Sequence, residues 1–198
     1  MQQLSKGCHA RGVLCIVGLI LPAARAEAEV GLELEANLLG SQALMYNGVG
    51  QAVMAGGIGG GTLLGIPLGR RIVLQAGLQV SGGSSECNGA RSEAYSLVVP
   101  LRLKAYLREP GAGKVVPFLR LGVAYDRWSG SYGGGDFVSH AIDGTGAFGV
   151  TYFVTERLGV GMDAGVTYSR WFASSMDYNE SSGWGINASW QMSVVLRI

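Results

Sequence analysis

The sequence is 198 residues long, with 15 basic and 14 acidic residues, a formal net charge of +1, 33 glycines and three cysteines. No run of basic residues occurs, so a nucleic-acid-binding surface is not expected. The glycines lie among valine, leucine and tyrosine without a three-residue period, which excludes collagen and argues against a disordered chain.

The N-terminus has the pattern of a cleavable secretory leader. Lys6 and Arg11 precede an uncharged apolar run over 12–21, and small residues follow this run. The run is too short to cross a bilayer as a helix. We therefore expect a signal peptide over 1–26 and a single mature domain over 27–198.

The mature region contains eight segments in which apolar and polar residues alternate. Segment 95–107 is the clearest, because apolar or aromatic residues fill every odd position while Arg102 and Lys104 lie on even ones. Successive side chains of a strand point to opposite sides, so each segment predicts a strand with one apolar and one polar face. The predicted strands cover residues 29–38, 51–64, 70–80, 95–107, 115–127, 140–153, 157–169 and 183–198.

Short and long connections alternate between the predicted strands. The connections after strands two, four and six are short, as in the sequence EPGAG over 109–113. The other connections are long and polar, as in SGGSSECNGARSE over 81–93. In an antiparallel meander, every short turn lies on one rim and every long connection on the other. This asymmetry is typical of transmembrane β-barrels.

The length of the strands also fits a bilayer. The twelve steps of 95–107 span about 40 Å, or about 30 Å along the membrane normal at a tilt of roughly 40°. This is the thickness of the hydrocarbon core. No strand edge can remain unpaired in lipid, so the first and last strands must pair. The alternation in the last strand continues to Ile198, as expected for a strand that closes the barrel.

The polar face of the strands is expected to line the lumen. It carries few charges, balanced in sign, whereas the outside of a soluble barrel would be denser in lysine and glutamate. Unpaired charge in a narrow lumen is costly, so these residues are expected to form a network. Its predicted members are Glu33, Glu35, Arg71, Arg102, Lys104, Arg120, Asp126, Asp143, Asp163 and Arg197.

Aromatic residues near the strand ends predict two belts at the boundaries between water and lipid. The belt at the rim of the long connections is expected to contain Tyr95, Tyr125, Trp128, Tyr168, Trp171 and Trp184. The belt at the short-turn rim is expected to contain Tyr106, Phe118, Tyr152 and Phe153.

With these strands, rims and belts, the mature region resembles the eight-stranded OmpA-like outer-membrane barrels of Gram-negative bacteria. The resemblance implies an all-β, up-and-down antiparallel barrel in the outer membrane, with both termini in the periplasm. It also implies contacts with outer-membrane lipids and lipopolysaccharide, and assembly by periplasmic chaperones and the barrel-assembly machinery. That family usually ends on an aromatic residue, whereas this sequence ends on Ile198.

The expected role is non-enzymatic, without metal or cofactor: a structural or surface-interaction protein that acts through its extracellular loops. Side chains fill the lumen of an eight-stranded barrel, which disfavours an open pore. One alternative is a narrow channel or carrier for small solutes. Another is a lipid-modifying enzyme, because His140 lies near Ser139, Asp136 and Asp143 in the sequence.

Three features leave further alternatives. The uncharged stretch 52–69 contains two Gly-x-x-x-Gly patterns, which also occur in membrane helices, although its many glycines and Pro67 favour a strand. Cys87, the only cysteine of the mature region, lies in the second long connection and either is an exposed free thiol, which we expect, or forms an intermolecular disulfide. The loop aromatics either contact a ligand or pack the loops together; they are Tyr46, Tyr132, Phe137, Phe172 and Tyr178.

Overall fold

A computed structural model describes residues 31–47, 57–87, 90–132, 135–174 and 183–198. The expected signal peptide lies outside these residues, as does Tyr178. No described residue belongs to a helix long and apolar enough to cross a membrane. The strands are β1 (Glu33–Asn47), β2 (Gly57–Pro67), β3 (Ile72–Cys87), β4 (Ala90–Tyr106), β5 (Lys114–Tyr132), β6 (Gly135–Phe153), β7 (Leu158–Ser174) and β8 (Gly183–Arg197).

The eight strands form a closed antiparallel barrel in which each strand pairs with the next and β8 pairs with β1. Beyond the strand ends, the backbones of Leu32 and Ile198 exchange two hydrogen bonds of 3.0 and 2.8 Å. The predicted eight-stranded up-and-down barrel is therefore confirmed. The helix alternative for 52–69 is wrong over 57–67, because these residues form β2.

Three short turns lie on one rim, which we call the short-turn rim. They span residues 68–71, 107–113 and 154–157 and join β2 to β3, β4 to β5, and β6 to β7. In the second turn, Gly113 has a φ of 70°, a left-handed conformation that glycine adopts without strain. The predicted alternation of short connections is confirmed at this rim.

The opposite rim, which we call the hairpin rim, differs from the prediction. β3 and β4 pair as far as Cys87 and Ala90, and β5 and β6 pair as far as Tyr132 and Gly135. Four connections are predicted to be long loops. Two of them, between β3 and β4 and between β5 and β6, therefore consist mostly of strand residues. Apolar alternation is lost where the strands leave the lipid, but backbone pairing needs no apolar side chain and continues beyond it.

The barrel has its apolar face outside and its polar face inside. Arg120 on β5 is 1% exposed, whereas its neighbour Leu121 is 65% exposed. The same contrast holds on β4, where Lys104 is 0% exposed and Leu101 is 49% exposed. A soluble barrel has the reverse arrangement, so the surface of this barrel is suited to lipid.

Candidate functional site

An apolar layer closes the lumen toward the short-turn rim. The ring of Tyr106 packs edge-on against the rings of Phe118 and Phe153, with centroids 6.1 and 6.0 Å apart. Gly149 on β6 makes room for this layer, because a Cβ atom there would lie 2.5 Å from Cζ of Phe118. The members of the layer are at most 2% exposed; they are Val73, Tyr106, Val116, Phe118 and Phe153.

A layer of buried ion pairs adjoins the apolar layer. Lys104 Nζ lies 2.9 Å from Glu35 Oε2 and 3.4 Å from Glu33 Oε1. Arg120 Nη2 lies 2.7 Å from Glu35 Oε1, and its Nη1 lies 3.0 Å from Asp163 Oδ2. These residues come from β1, β4, β5 and β7, so the pairs cross the lumen and connect opposite walls.

Neutral side chains add hydrogen bonds to the buried carboxylates of Glu33 and Glu35. Gln75 donates to both Glu35 and Glu33, at 3.0 and 3.3 Å, and Gln191 donates to Glu35 at 2.6 Å. The Tyr106 hydroxyl donates to Glu33 at 3.0 Å, which links this layer to the apolar one. Gln75 and Gln191 are absent from the predicted network, although the alternation already places them on the inward face.

A cavity of about 100 Å³ lies between the ion pairs and the hairpin rim. Arg102 lines its inner end, where Nη2 donates to Gln79 at 2.7 Å. Asp126 and Asp143 line the part nearer the hairpin rim, and Ser96 donates to Asp126 at 2.6 Å. The space is thus lined by charged and polar side chains among apolar ones, while the ion pairs and the apolar layer close its inner end.

The structure brings most of the ten predicted lumen charges together. Arg197 lies at the edge of the ion-pair layer, with Nε 3.6 Å from Glu33 Oε2 and a side chain that is 23% exposed. Arg71 lies elsewhere, exposed in the turn before β3. The ion-pair layer contains Glu33, Glu35, Lys104, Arg120 and Asp163, and the cavity is lined by Arg102, Asp126 and Asp143 together with Arg120 and Asp163.

The aromatic residues divide between the two faces. On the outward face near the hairpin rim, Tyr168 stacks on Trp184 with ring centroids 6.4 Å apart. Trp128 lines the cavity, and Trp171 pairs with the buried Ala141, so both are placed inward. Tyr95 and Tyr125 complete the outward set.

At the short-turn rim, only one of the four predicted belt residues is confirmed on the surface. Tyr152 is 45% exposed. The belt prediction is wrong for Tyr106, Phe118 and Phe153, which are buried in the lumen. Each of the three is an even number of residues away from an inward-facing charge on its own strand, so the alternation places all three side chains on the inward face.

His140 lies on the outward face of β6, away from the residues considered as catalytic partners. Its Nδ1 is 2.5 Å from the Tyr125 hydroxyl, and its ring centroid is 6.3 Å from that of Phe172. Ser139 and Asp143 have the opposite register and face the lumen side of the sheet. The structure therefore does not assemble these three residues into a nucleophile, base and acid.

The sequence profile described as "Outer membrane protein beta-barrel domain" matches residues 12–191. The chain belongs to this family. It is accordingly a protein of the Gram-negative outer membrane. Among curated proteins, none matches the sequence.

Solved structures of other outer-membrane barrels share the fold of this family member. OprG from Pseudomonas aeruginosa has a TM-score of 0.55 at 11% identity, covering 87% of this chain and 97% of that chain. Neisserial surface protein A has a TM-score of 0.52 at 17% identity, and the match covers 86% of this chain and 99% of that chain. Ail from Yersinia pestis, in complex with the heparin analogue sucrose octasulfate, has a TM-score of 0.52 at 10% identity. The match covers 86% of this chain and 100% of that chain.

Proposed function

We propose that this outer-membrane barrel is a closed, non-enzymatic protein that stabilises the envelope and contacts other molecules through its hairpin rim. The observation that carries the proposal is the filled lumen. Ion pairs from Lys104 and Arg120 join opposite walls, and the ring of Phe118 lies directly beside them, with its centroid 4.7 Å from Lys104 Nζ. Side chains therefore occupy the path that a solute would need.

The paired extensions at the hairpin rim support a role in surface contact. β5 and β6 each contain 19 residues, well beyond the 9–11 that a tilted strand needs to cross a bilayer. The excess is directed to the hairpin rim, which we place outside the cell. Ail, with the same fold, was crystallised with a sulfated sugar, a precedent for ligand binding by a barrel of this size.

Planar-bilayer recordings test whether the lumen is closed. We expect purified wild-type protein to give a flat current trace, because neither layer leaves a continuous aqueous path. We also expect Arg102→Ala to leave the trace flat, since Arg102 lies on the hairpin side of the ion pairs. A steady single-channel conductance that changes with Arg102→Ala would instead support the narrow-channel alternative.

The orientation can be tested with a membrane-impermeant maleimide on intact cells. In a Cys87→Ser background, Ser84→Cys introduces a thiol at an exposed position of the hairpin rim, and Ala112→Cys introduces one at an exposed position of the short-turn rim. We expect only the first to react before the cells are lysed, and both to react afterwards. Labelling of Ala112→Cys alone on intact cells would reverse the proposed orientation.

A further inference from the structure

Two copies of the sequence Tyr-x-Arg-Trp occupy equivalent places near the hairpin rim. The first copy spans 125–128 on β5 and the second spans 168–171 on β7. In each copy the tyrosine and arginine are exposed on the outward face, whereas the second and fourth residues face the lumen. The lipid-facing surface therefore carries the same tyrosine and arginine pair on two strands.

The two copies flank β6 on its outward face. Arg127 pairs with His140, and Arg170 pairs with Ile142 two residues further along the same strand. β5 and β7 are two strand spacings apart, or roughly 10 Å. Arginine side chains are long enough for the two guanidinium groups to approach one ligand from either side of β6.

Aromatic rings form the surface between these arginines. His140 stacks on Tyr125 with centroids 5.9 Å apart and lies 6.3 Å from Phe172. The pairing of β6 and β7 shifts register between His140 and Ala141, and Phe172 is the extra residue of β7 at this point. The bulge therefore adds the exposed ring of Phe172 to this surface. We call the surface formed by Tyr125, His140 and Phe172 the aromatic patch.

The charge of the two arginines is not balanced within the described part of the barrel. Neither Arg127 nor Arg170 forms a salt bridge with a described residue. Among the described residues, the outward-face carboxylates on the strands beside Arg127 are those of Glu93 and Asp136, which both pair with Ser131. Ser131 lies four residues beyond Arg127, or about 13 Å along the strand.

The position of these cations relative to the tyrosines indicates what they bind. Tyrosine prefers the boundary between acyl chains and headgroups, and each arginine follows its tyrosine by two residues, roughly 7 Å toward the hairpin rim. The guanidinium groups thus reach the level of the lipid phosphates, whose oxygens match the arginine fork.

We propose that Arg127 and Arg170 together bind the phosphate groups of one membrane lipid whose apolar part lies against the aromatic patch. The chemical class is a phosphorylated glycolipid of the leaflet at the hairpin rim. The inference uses the orientation proposed above but not the closed lumen. Binding is measured in micelles, so its failure is distinct from a failure of either the conductance or the labelling test.

Native mass spectrometry of the folded protein in a neutral maltoside detergent tests the proposal with bisphosphorylated lipid A as the probe. We expect wild-type protein to retain lipid A, and Arg127→Gln/Arg170→Gln to bind it at least tenfold more weakly. The matched control is Arg108→Gln/Arg157→Gln, which removes two exposed arginines from the short-turn rim. We expect this control to bind within twofold of wild type.

Two further arms use only the wild-type protein. We expect lipid A without its phosphates to bind at least tenfold more weakly. We also expect about 10 mM inorganic phosphate, which adds little ionic screening at this concentration, to leave lipid A bound. Equal binding of the dephosphorylated lipid, or equal binding by the Arg127→Gln/Arg170→Gln protein, would overturn the proposal. Displacement by inorganic phosphate would show a simple anion site instead of a lipid site.

Discussion

Replacement of Lys104 by methionine is expected to lower the free energy of unfolding by about 3–5 kcal/mol, the usual cost of removing one partner from a buried ion pair. Methionine preserves most of the shape of the lysine stem but removes its charge. Glu33 and Glu35 are fully buried, and Lys104 contacts both carboxylates. Without it, Glu35 shares Arg120 with Asp163, and Glu33 retains only the peripheral Arg197 as a cationic partner. Urea unfolding in detergent micelles, followed by tryptophan fluorescence, measures the change.

Two comparisons separate burial of charge from loss of an ion pair in general. Arg70 and Glu109 form an exposed pair of 3.6 Å at the short-turn rim, so Arg70→Met should cost about 0–1 kcal/mol. Adding Glu33→Gln to Lys104→Met should restore part of the stability, because one uncompensated charge is removed. A loss below about 1 kcal/mol for Lys104→Met would contradict the buried network.

Gly149→Ala is expected to destabilise the barrel by about 1–3 kcal/mol, the cost of adding a methyl group where no space exists. The new Cβ would lie 2.5 Å from Cζ of Phe118, from Cβ of Asp163 and from the backbone oxygen of Met162. The backbone cannot move away without breaking strand pairing, so both the apolar layer and the ion pair of Asp163 would be displaced. The same unfolding measurement applies.

Gly144→Ala on the same strand provides the matched control. A Cβ atom at Gly144 meets nothing within 4 Å, because this residue is on the outward face. Replacing glycine there reduces the freedom of the unfolded chain, so the variant should be as stable as wild type or more stable by about 0.4–1 kcal/mol. Equal destabilisation by the two substitutions would show that loss of glycine, rather than crowding at Phe118, is responsible.

The alternation of apolar and polar residues predicts the strand number, the closed topology and the direction of each face. β4 is the clearest case, because Lys104 and Leu101 lie on opposite faces in the structure as they do in the pattern. For the aromatic residues near strand ends, the alternation and the expectation of a belt give different faces, and the alternation is the correct guide. Phe118 occupies the same inward register as Arg120, but its position near a strand end suggested a belt.

Two features could not be predicted from a local pattern. The partners of the lumen charges depend on the barrel's register: Glu35 and Arg120 are 85 residues apart and meet because β1 and β5 face each other across the lumen. The hairpin extensions leave no signal in the sequence, because pairing outside the lipid is maintained by backbone hydrogen bonds and requires no apolar alternation. Side-chain patterns therefore report the membrane-spanning part of a strand better than its full length.

The cross-lumen ion pairs also have a kinetic consequence. Glu35 lies on β1, and its partners Lys104 and Arg120 lie three and four strands away. They can approach only once the sheet has curled into a barrel, so we expect these contacts to be absent from the transition state of assembly. Interactions that form this late slow unfolding without accelerating folding. Once inserted, the barrel should therefore persist for a long time, independent of how slowly it was assembled.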